Sequence, residues 1–183
     1  MRIQIEDTLM VAVDFQEKLL PAIYDQEEIL RKSEFLIRGL KELGVECFMT
    51  TQYAKGLGYN VSSIVELIGE DNNFDKISFG IYMDEQIKKK IDESGKKYII
   101  IAGTEAHICV LQSVIDLAAA GYVPVLITDC IGSRHPGDKE AALLRANQEG
   151  AILTSAESLL YELMASAKHP HFKEISKLVK EQG

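Results

Sequence analysis

Cysteines and long apolar runs are both scarce in this sequence. Three cysteines, Cys47, Cys109 and Cys130, are spread over 183 residues and form neither a CxxC pair nor a metal-binding spacing with histidine. An odd and sparse set in a chain of this length argues against a disulfide framework and indicates a reducing compartment. No apolar run approaches the roughly 20 residues of a membrane-spanning helix, and the N-terminal segment is too polar for a signal peptide. We therefore expect a cytoplasmic protein with no membrane partner.

Positive charge and cofactor-binding motifs are also scarce. The chain has 20 lysine and arginine residues against 28 aspartate and glutamate residues, which gives a net charge of -8. An acidic chain repels nucleic acids, and no basic stripe reverses this balance. Neither a G-x-G-x-x-G fingerprint nor a P-loop is present, so nucleotide cofactors are not implied. We therefore expect no nucleic-acid partner and no cofactor.

Short apolar runs alternate with amphipathic stretches along the chain. The apolar runs predict strands at residues 9–13, 45–51, 98–102, 123–128 and 151–153, with an edge strand near Lys76. The amphipathic stretches predict helices at residues 27–43, 83–94, 107–120, 138–149, 158–165 and 171–180. This alternation requires right-handed βαβ crossovers and a mainly parallel sheet. No repeat or linker divides the chain, so we expect residues 1–183 to form a single α/β domain.

Residues at the carboxyl ends of parallel strands are the first candidates for a functional site. In this sequence they are Asp14, Thr51-Gln52-Tyr53, Gly103-Thr104-Glu105, Asp129-Cys130 and, near the edge strand, Lys76. Because Cys130 follows a strand end, we expect it to be partly exposed and a rival reactive thiol. Cys47 lies inside an apolar strand and is expected to be inert.

Cys109 lies two residues into the helix that follows the strongest predicted strand. A helix N-terminus carries partial positive charge and unpaired N–H groups, which favour a thiolate over a thiol. We therefore expect a lowered pKa for the Cys109 thiol and strong nucleophilicity at neutral pH. The same N–H groups are able to bind an oxyanion that forms on a substrate carbonyl. Position alone also allows a second interpretation, in which Cys109 is a small buried hydrophobic residue.

Asp14, Lys76 and His107 each allow two interpretations from position alone. Asp14 ends a buried strand, where it could take a proton from a nucleophile or simply shape the next turn. Lys76 could stabilise a neighbouring thiolate and carboxylate, or be an ordinary solvated lysine. His107 precedes Cys109 by two residues, and side chains at this spacing on a helix diverge by about 200°, so we do not expect it to be the base. A cap or a pocket wall is the expected role of His107.

Several stretches of the chain together resemble the isochorismatase-like cysteine hydrolases, in particular the isochorismatase domain-containing branch. They are residues 11–16, 51–53 with 55–58, 76–79 and 103–110, with further similarity at 133–134 and 169–175. The resemblance implies a three-layer, doubly wound α/β fold with a six-stranded, mainly parallel sheet. It also implies a catalytic trio of Asp14, Lys76 and Cys109. A cis peptide bond between Thr104 and Glu105 is implied as well, with the N–H groups of Glu105 and Cys109 forming an oxyanion hole.

The function implied by this resemblance is hydrolysis of a small amide, carbamoyl or related C–N substrate through a covalent thioester. Phe15, Gln52, Tyr53 and Ile108 are the expected substrate contacts. The nicotinamidases of the family carry an Asp-x-His metal site after the second strand, whereas this chain has no histidine there. We therefore expect no metal, and nicotinamidase activity is doubtful. The resemblance also implies a homo-oligomer.

Two other functions stay open at this point. The protein could be a non-catalytic or redox-sensing module that binds small molecules, because an activated thiolate at Cys109 would suit oxidation as well as acylation. It could also be a metal-free lyase-like or ether-cleaving enzyme that uses Asp14 as an acid. The latter predicts an activity that survives alkylation of the thiols.

Overall fold

A parallel sheet of six strands forms the centre of the computed structural model, which describes residues 2–182. The strands are β1 (Thr8–Val13), β2 (Glu46–Gln52), β3 (Asn73–Lys76), β4 (Tyr98–Thr104), β5 (Val123–Gly132) and β6 (Ile152–Thr154). They run in the order β3-β2-β1-β4-β5-β6, and every neighbouring pair is parallel. The strand order reverses between β1 and β4, which is the point where doubly wound sheets bind their ligands. The predicted α/β fold is therefore confirmed.

The helices connect these strands as the sequence pattern indicates. They are α1 (Gln26–Glu42), α2 (Ala54–Leu57), α3 (Ser62–Ile68), α4 (Glu85–Ser94), α5 (Leu111–Ala119), α6 (Pro136–Gln148), α7 (Ala156–Met164) and α8 (Phe172–Lys180). One π-helical turn, Ala106–Val110, leads directly into α5. The two helices that the sequence did not predict, α2 and α3, have only 4 and 7 residues, too few to show a helical period.

Helices cover both faces of the sheet, so the fold has the three layers that were predicted. α1, α3, α7 and α8 pack on one face, around residues such as Leu36, Leu40 and Leu160. α4, α5 and α6 cover the other face, around Ile87 and Val114. Every residue of β1 and β4 is buried, because both strands have a helical layer on each side. Among the described residues, none belongs to a helix with the length and apolarity needed to cross a bilayer.

β5 differs from its prediction in a way that matters for the site. The strand does not end at residue 128 but continues to Gly132. Its register against β4 shifts, since Ile101 pairs with Leu126 while Gly103 pairs with Ile131. The expectation that Asp129 and Cys130 lie at the carboxyl end of this strand was therefore wrong. β5 continues past the shift in register, so Ser133 and Arg134 are the residues that follow its carboxyl end.

Gly103 allows β1 and β4 to approach closely where they reach the site. It has a φ of +147°, and a Cβ atom there would lie 2.1 Å from the carbonyl oxygen of Val13. A side chain would therefore collide with backbone that the sheet holds in place. Glycine at this position brings the turn after β4 next to Asp14, the residue that follows β1.

Candidate active site

The carboxylate of Asp14 is fixed at the point where the strand order reverses. Asp14 is fully buried and has a left-handed φ of 55°. Its Oδ1 accepts a hydrogen bond from the Thr50 hydroxyl at 2.7 Å, and its Oδ2 accepts one from Lys76 Nζ at 2.8 Å. Its backbone carbonyl accepts a hydrogen bond from the Thr104 hydroxyl at 2.6 Å. Groups from both neighbouring strands therefore hold this residue in one orientation.

Lys76 is a buried cation, only 1% exposed, and not a solvated surface residue. Besides Asp14, its Nζ donates to Gln52 Oε1 at 2.7 Å and to the carbonyls of Phe79 at 3.1 Å and Ser78 at 3.3 Å. The β2–β3 ladder pairs Lys76 with Gln52 and so brings the ammonium toward Asp14. One carboxylate and three neutral acceptors offset the cost of burying this charge.

Gln52 links the lysine to the cysteine. Its Oε1 accepts from Lys76 and lies 3.9 Å from the Cys109 Sγ, while its Nε2 donates to the carbonyl of Ile77 at 2.7 Å. The buried side chain of Gln16 holds Gln52 in turn, since its Nε2 donates to the Gln52 carbonyl and its Oε1 accepts from the Gln52 N–H. Gln52, predicted as a substrate contact, therefore lies within the cluster of charged groups.

The thiol of Cys109 completes this cluster, and its protonation state corrects the expectation from sequence. Burial, followed by the charge of the Asp14 carboxylate, raises the pKa of the Cys109 thiol to about 12, although the Lys76 ammonium acts in the opposite direction. The predicted lowering of this pKa was therefore wrong, because desolvation and an adjacent carboxylate outweigh the helix N-terminus. At neutral pH the thiol is protonated and requires a base before it can attack.

The two N–H groups predicted to bind an oxyanion belong to the turn that carries the thiol. The peptide bond between Thr104 and Glu105 is cis, as the resemblance implies. The N–H of Glu105 has no hydrogen-bond acceptor within residues 2–182. The carbonyl of Glu105 accepts from the N–H groups of Ile108 at 3.0 Å and Val110 at 3.2 Å, which ties Glu105 to the turn around Cys109. The role of these N–H groups in binding an oxyanion stays a prediction.

The remaining predicted substrate contacts differ in exposure. Phe15 is fully buried in the core under α1, where a substrate would have to displace it. Tyr53 is 48% exposed, and its N–H donates to the carbonyl of Lys76 at 2.9 Å. Ile108 is partly buried in the same turn as Cys109. This burial does not favour a substrate contact for Phe15, whereas the positions of Tyr53 and Ile108 allow one.

The other reactive side chains lie outside the cluster. Cys130 is fully buried, so the expectation of a partly exposed thiol was wrong; burial raises the pKa of its thiol well above the ordinary value. Burial also raises the pKa of Cys47 to about 12, as expected for an inert thiol. His107 Nδ1 is hydrogen-bonded to the Ser133 Oγ at 2.9 Å, away from the thiol. A cavity of about 370 Å³ lined by Ser133 and Lys139, among others, is not lined by any of the three predicted catalytic residues.

Three residues of this site were not found from the sequence. Thr50 binds the Asp14 carboxylate, and Gln16 holds the backbone of Gln52. The Ser113 hydroxyl donates to the carbonyl of Cys109 at 2.6 Å and accepts from the N–H of Ile81 at 3.0 Å, which braces the turn against the loop after β3. All three are fully buried. Only Ser113 lies within a largely apolar stretch, residues 108–117, where a polar residue is a signal; Gln16 and Thr50 stand beside other polar residues in the sequence.

Comparisons with known proteins agree with this architecture. Residues 8–158 match the family model of the isochorismatase domain. The chain is 32% identical to "Isochorismatase family protein 1A" of Dictyostelium discoideum, over 96% of this chain and 87% of that protein. The structure of MAR1 ribonuclease from Caenorhabditis elegans matches with a TM-score of 0.92 at 32% identity, over 98% of this chain and 93% of that one. The YcaC gene product of Escherichia coli, described as an octameric hydrolase of unknown specificity, has the same fold, with a TM-score of 0.88 at 21% identity over 98% and 95% of the two chains.

The family match begins at the first residue of β1 and ends inside α7. It therefore spans all six strands of the sheet and includes Asp14, Lys76 and Cys109, the residues that meet at the reversal of strand order. A match over most of the chain, together with a relative at 32% identity across nearly its full length, leaves no other assignment of the fold. The chain belongs to the isochorismatase family and is a hydrolase of that family.

Proposed function

We propose that this protein is a cysteine hydrolase that cleaves the C–N bond of a small amide, carbamoyl or related non-peptide substrate through a covalent thioester. The observation that carries the proposal is the single buried cluster of Asp14, Lys76 and Cys109. Its carboxylate and ammonium are 2.8 Å apart with both side chains inaccessible. The thiol lies 3.9 Å from Gln52 Oε1, the oxygen that also accepts a hydrogen bond from Lys76. A nucleophile, a base and a cation that holds the base in place are the parts of acyl transfer.

The first half of the proposed reaction forms the thioester. Asp14 accepts the proton of the Cys109 thiol as the sulfur attacks the substrate carbonyl carbon. The N–H groups of Glu105 and Cys109 bind the oxygen, which becomes negatively charged. The C–N bond then breaks, and the leaving nitrogen takes the proton from Asp14. An amine or ammonia departs, and the acyl group remains on sulfur.

The second half releases the acid. Asp14 accepts a proton from a water molecule, and the hydroxide attacks the thioester carbon. The C–S bond breaks, and the departing thiolate recovers its proton from Asp14, which restores the resting site. The Lys76 ammonium keeps Asp14 oriented in both halves and supplies positive charge beside it, so the proposal needs no metal and no cofactor.

The raised pKa of the Cys109 thiol favours this function over the redox-sensing alternative. A redox-sensing cysteine is oxidised as an accessible thiolate. Cys109 is 5% exposed, and burial raises the pKa of its thiol to about 12. A protonated thiol beside a built-in base favours a nucleophile that is activated only when the substrate is bound.

The name of the C. elegans relative raises cleavage of RNA as another candidate. A polyanionic substrate is opposed by the net charge of -8 on this chain. The ammonium of Lys76 in the cluster is already paired with Asp14 and is not available to a phosphate. We therefore propose a small-molecule substrate and no nucleic-acid partner.

The function is tested by trapping the intermediate. The protein is mixed with a library of small amides and carbamoyl compounds, quenched in acid and mapped by mass spectrometry. We expect an acyl group on Cys109 alone, loss of turnover in Cys109→Ala, and retained turnover in the matched variant Cys130→Ala. Turnover of these compounds that survives Cys109→Ala would contradict the thioester mechanism. Cleavage of an ether substrate that survives thiol alkylation would instead support the ether-cleaving reaction with Asp14 as acid.

We also propose that the protein works as a homo-oligomer in the cytoplasm. The YcaC relative is octameric, and Ile77, Phe79 and Met83 form an apolar group beside Lys76 in the chain, 70%, 51% and 66% exposed. Large apolar side chains left exposed so near one another in the chain are candidates for an interface. Sedimentation velocity should therefore give one species heavier than 20.4 kDa; a monomer at micromolar concentration contradicts this.

The free state of all three cysteines supports a location in the cytoplasm, which is a reducing compartment. Recovery of the protein outside the cytoplasm by cell fractionation would contradict this location.

A further inference from the structure

Two consecutive residues beyond β5 hold the turn that carries the proposed oxyanion-binding groups. The Oγ of Ser133 is hydrogen-bonded to His107 Nδ1 at 2.9 Å. The Nε of Arg134 donates to Glu105 Oε1 at 2.6 Å, which forms an ion pair. The segment is itself anchored, because the carbonyl of Ser133 accepts from the N–H of Tyr24 at 3.0 Å. Contacts with Glu105 and His107 therefore fix both ends of the residue triplet that precedes Ile108 and Cys109.

The ion pair with Arg134 involves Glu105, whose backbone N–H binds the oxyanion in the proposed mechanism. The Glu105 N–H has no acceptor in the described part of the chain, so it is available to a substrate oxygen. An oxyanion donor is effective only if it is held in place before the charge develops. The Glu105 N–H lies in the peptide unit shared with Thr104, whose hydroxyl donates to the carbonyl of Asp14. The Glu105 carbonyl belongs to the next peptide unit and accepts from Ile108 and Val110. The side-chain bond to Arg134 holds Glu105 between these two units.

We propose that Arg134 is a positioning residue for this reaction: it holds Glu105 so that the Glu105 N–H points at the developing oxyanion. The inference rests on the proposed function, since it concerns the acylation of Cys109. The ion pair contributes little to stability, because the Arg134 side chain is 51% exposed. Its effect is on geometry, and a displacement of about 1 Å in a catalytic group is able to slow a reaction by about 100-fold.

Two reagents separate positioning of the oxyanion donor from reactivity of the thiol. p-Nitrophenyl acetate acylates a cysteine through a tetrahedral oxyanion, and release of p-nitrophenolate reports the rate. Methyl methanethiosulfonate transfers a methylthio group to the same sulfur, with sulfinate as the leaving group, and passes through no carbonyl oxyanion. Peptide mapping assigns each product to Cys109. A structural role would change both rates, whereas a role at the oxyanion changes only the first.

The variants are Arg134→Gln, Arg134→Lys and Glu105→Gln, with Arg145→Gln as the matched control. Arg145 pairs with Glu149 through the same atoms, Nε to Oε1, at 2.5 Å and with 53% of its side chain exposed, but in the last turn of α6. Removing an oxyanion donor outright costs about 100- to 1000-fold. We expect Arg134→Gln to slow acylation by about 10- to 100-fold, because a misplaced donor still contributes part of this effect.

The outcomes distinguish a failure of the inference about Arg134 from a failure of the proposed function. We expect unchanged methylthiolation in Arg134→Gln, Arg134→Lys and Arg145→Gln, and partial recovery of acylation in Arg134→Lys. Because the charge of the Glu105 carboxylate itself raises the pKa of the Cys109 thiol, the Glu105→Gln variants are compared by the ratio of acylation to methylthiolation. This ratio should fall no further when Arg134→Gln is added to Glu105→Gln. Equal acylation by Arg134→Gln and Arg145→Gln would overturn the inference, and so would a parallel loss of both reactions in Arg134→Gln. If the wild-type protein is methylthiolated but never acylated at Cys109, the proposed function itself fails.

Discussion

Replacing Lys76 with methionine is expected to lower the free energy of unfolding by about 3–5 kcal/mol, because it leaves the buried carboxylate of Asp14 without its countercharge. Both side chains of the pair are inaccessible to solvent and are joined at 2.8 Å. Methionine approximates the length of the lysine side chain, so the loss of packing is small and the electrostatic effect dominates. Thr50 remains as a hydrogen-bond donor to Asp14, but a hydroxyl does not replace a charge.

Urea unfolding at neutral pH measures this loss, with Lys90→Met as the control. Lys90 also forms an ion pair with a glutamate, Glu46, but the two side chains are 33% and 44% exposed, and such pairs contribute about 0–1 kcal/mol. The double variant Asp14→Asn with Lys76→Met should recover much of the loss, since it removes both charges. A Lys76→Met variant as stable as Lys90→Met would contradict the expected cost of leaving the Asp14 carboxylate without its countercharge.

The sheet and its helices were predictable because burial leaves a strong mark on sequence. β1 and β4 are buried on both faces and therefore appear as continuous apolar runs. The long helices show a 3.6-residue period because one face of each packs on the sheet. The end of β5 was not predictable, because the shift in its register against Ile101 and Gly103 depends on a neighbouring strand. A local pattern carries no information about such a shift.

The composition of the site was only partly predictable for a related reason. Position at strand ends selected Asp14 and Lys76 as candidates, but only the family resemblance joined them to Cys109. Gln16 and Thr50 act through contacts with residues 36 positions away in the chain, so no local motif reveals them.

The pKa of Cys109 was predicted in the wrong direction because sequence shows one influence and hides two. The helix N-terminus is visible in the pattern and favours a thiolate. The depth of burial and the approach of Asp14 appear only in the folded chain, and both raise the pKa of the thiol. In the structure, the larger influences are therefore those that sequence does not contain.

Replacing Asp14 with asparagine should make Cys109 more reactive toward iodoacetamide while it abolishes hydrolysis. The two effects are opposite because Asp14 both raises the pKa of the thiol and acts as the base of the proposed reaction. The Asp14 carboxylate raises the pKa of the thiol through its charge, so removing that charge lowers this pKa. Because the folded-state pKa of about 12 lies far above neutral pH, the thiolate fraction at pH 8 rises as that pKa falls. Each unit by which the pKa of the thiol falls increases the rate of alkylation only about threefold, since a less basic thiolate is also a weaker nucleophile.

Hydrolysis should change in the opposite direction, because the variant has no base to accept the thiol proton and no acid to protonate the leaving nitrogen, a loss of about 100- to 10,000-fold. Cys47 and Cys130 serve as internal controls: burial raises the pKa of both thiols, so they react only if the fold opens. Faster labelling of Cys109 alone means that the site has changed and the fold has not, whereas faster labelling of all three cysteines means global destabilisation.

Slower labelling of Cys109 in Asp14→Asn would mean that Asp14 activates the thiol even without substrate. The cluster would then store a thiolate, and the proposed transfer of a proton during attack would be wrong.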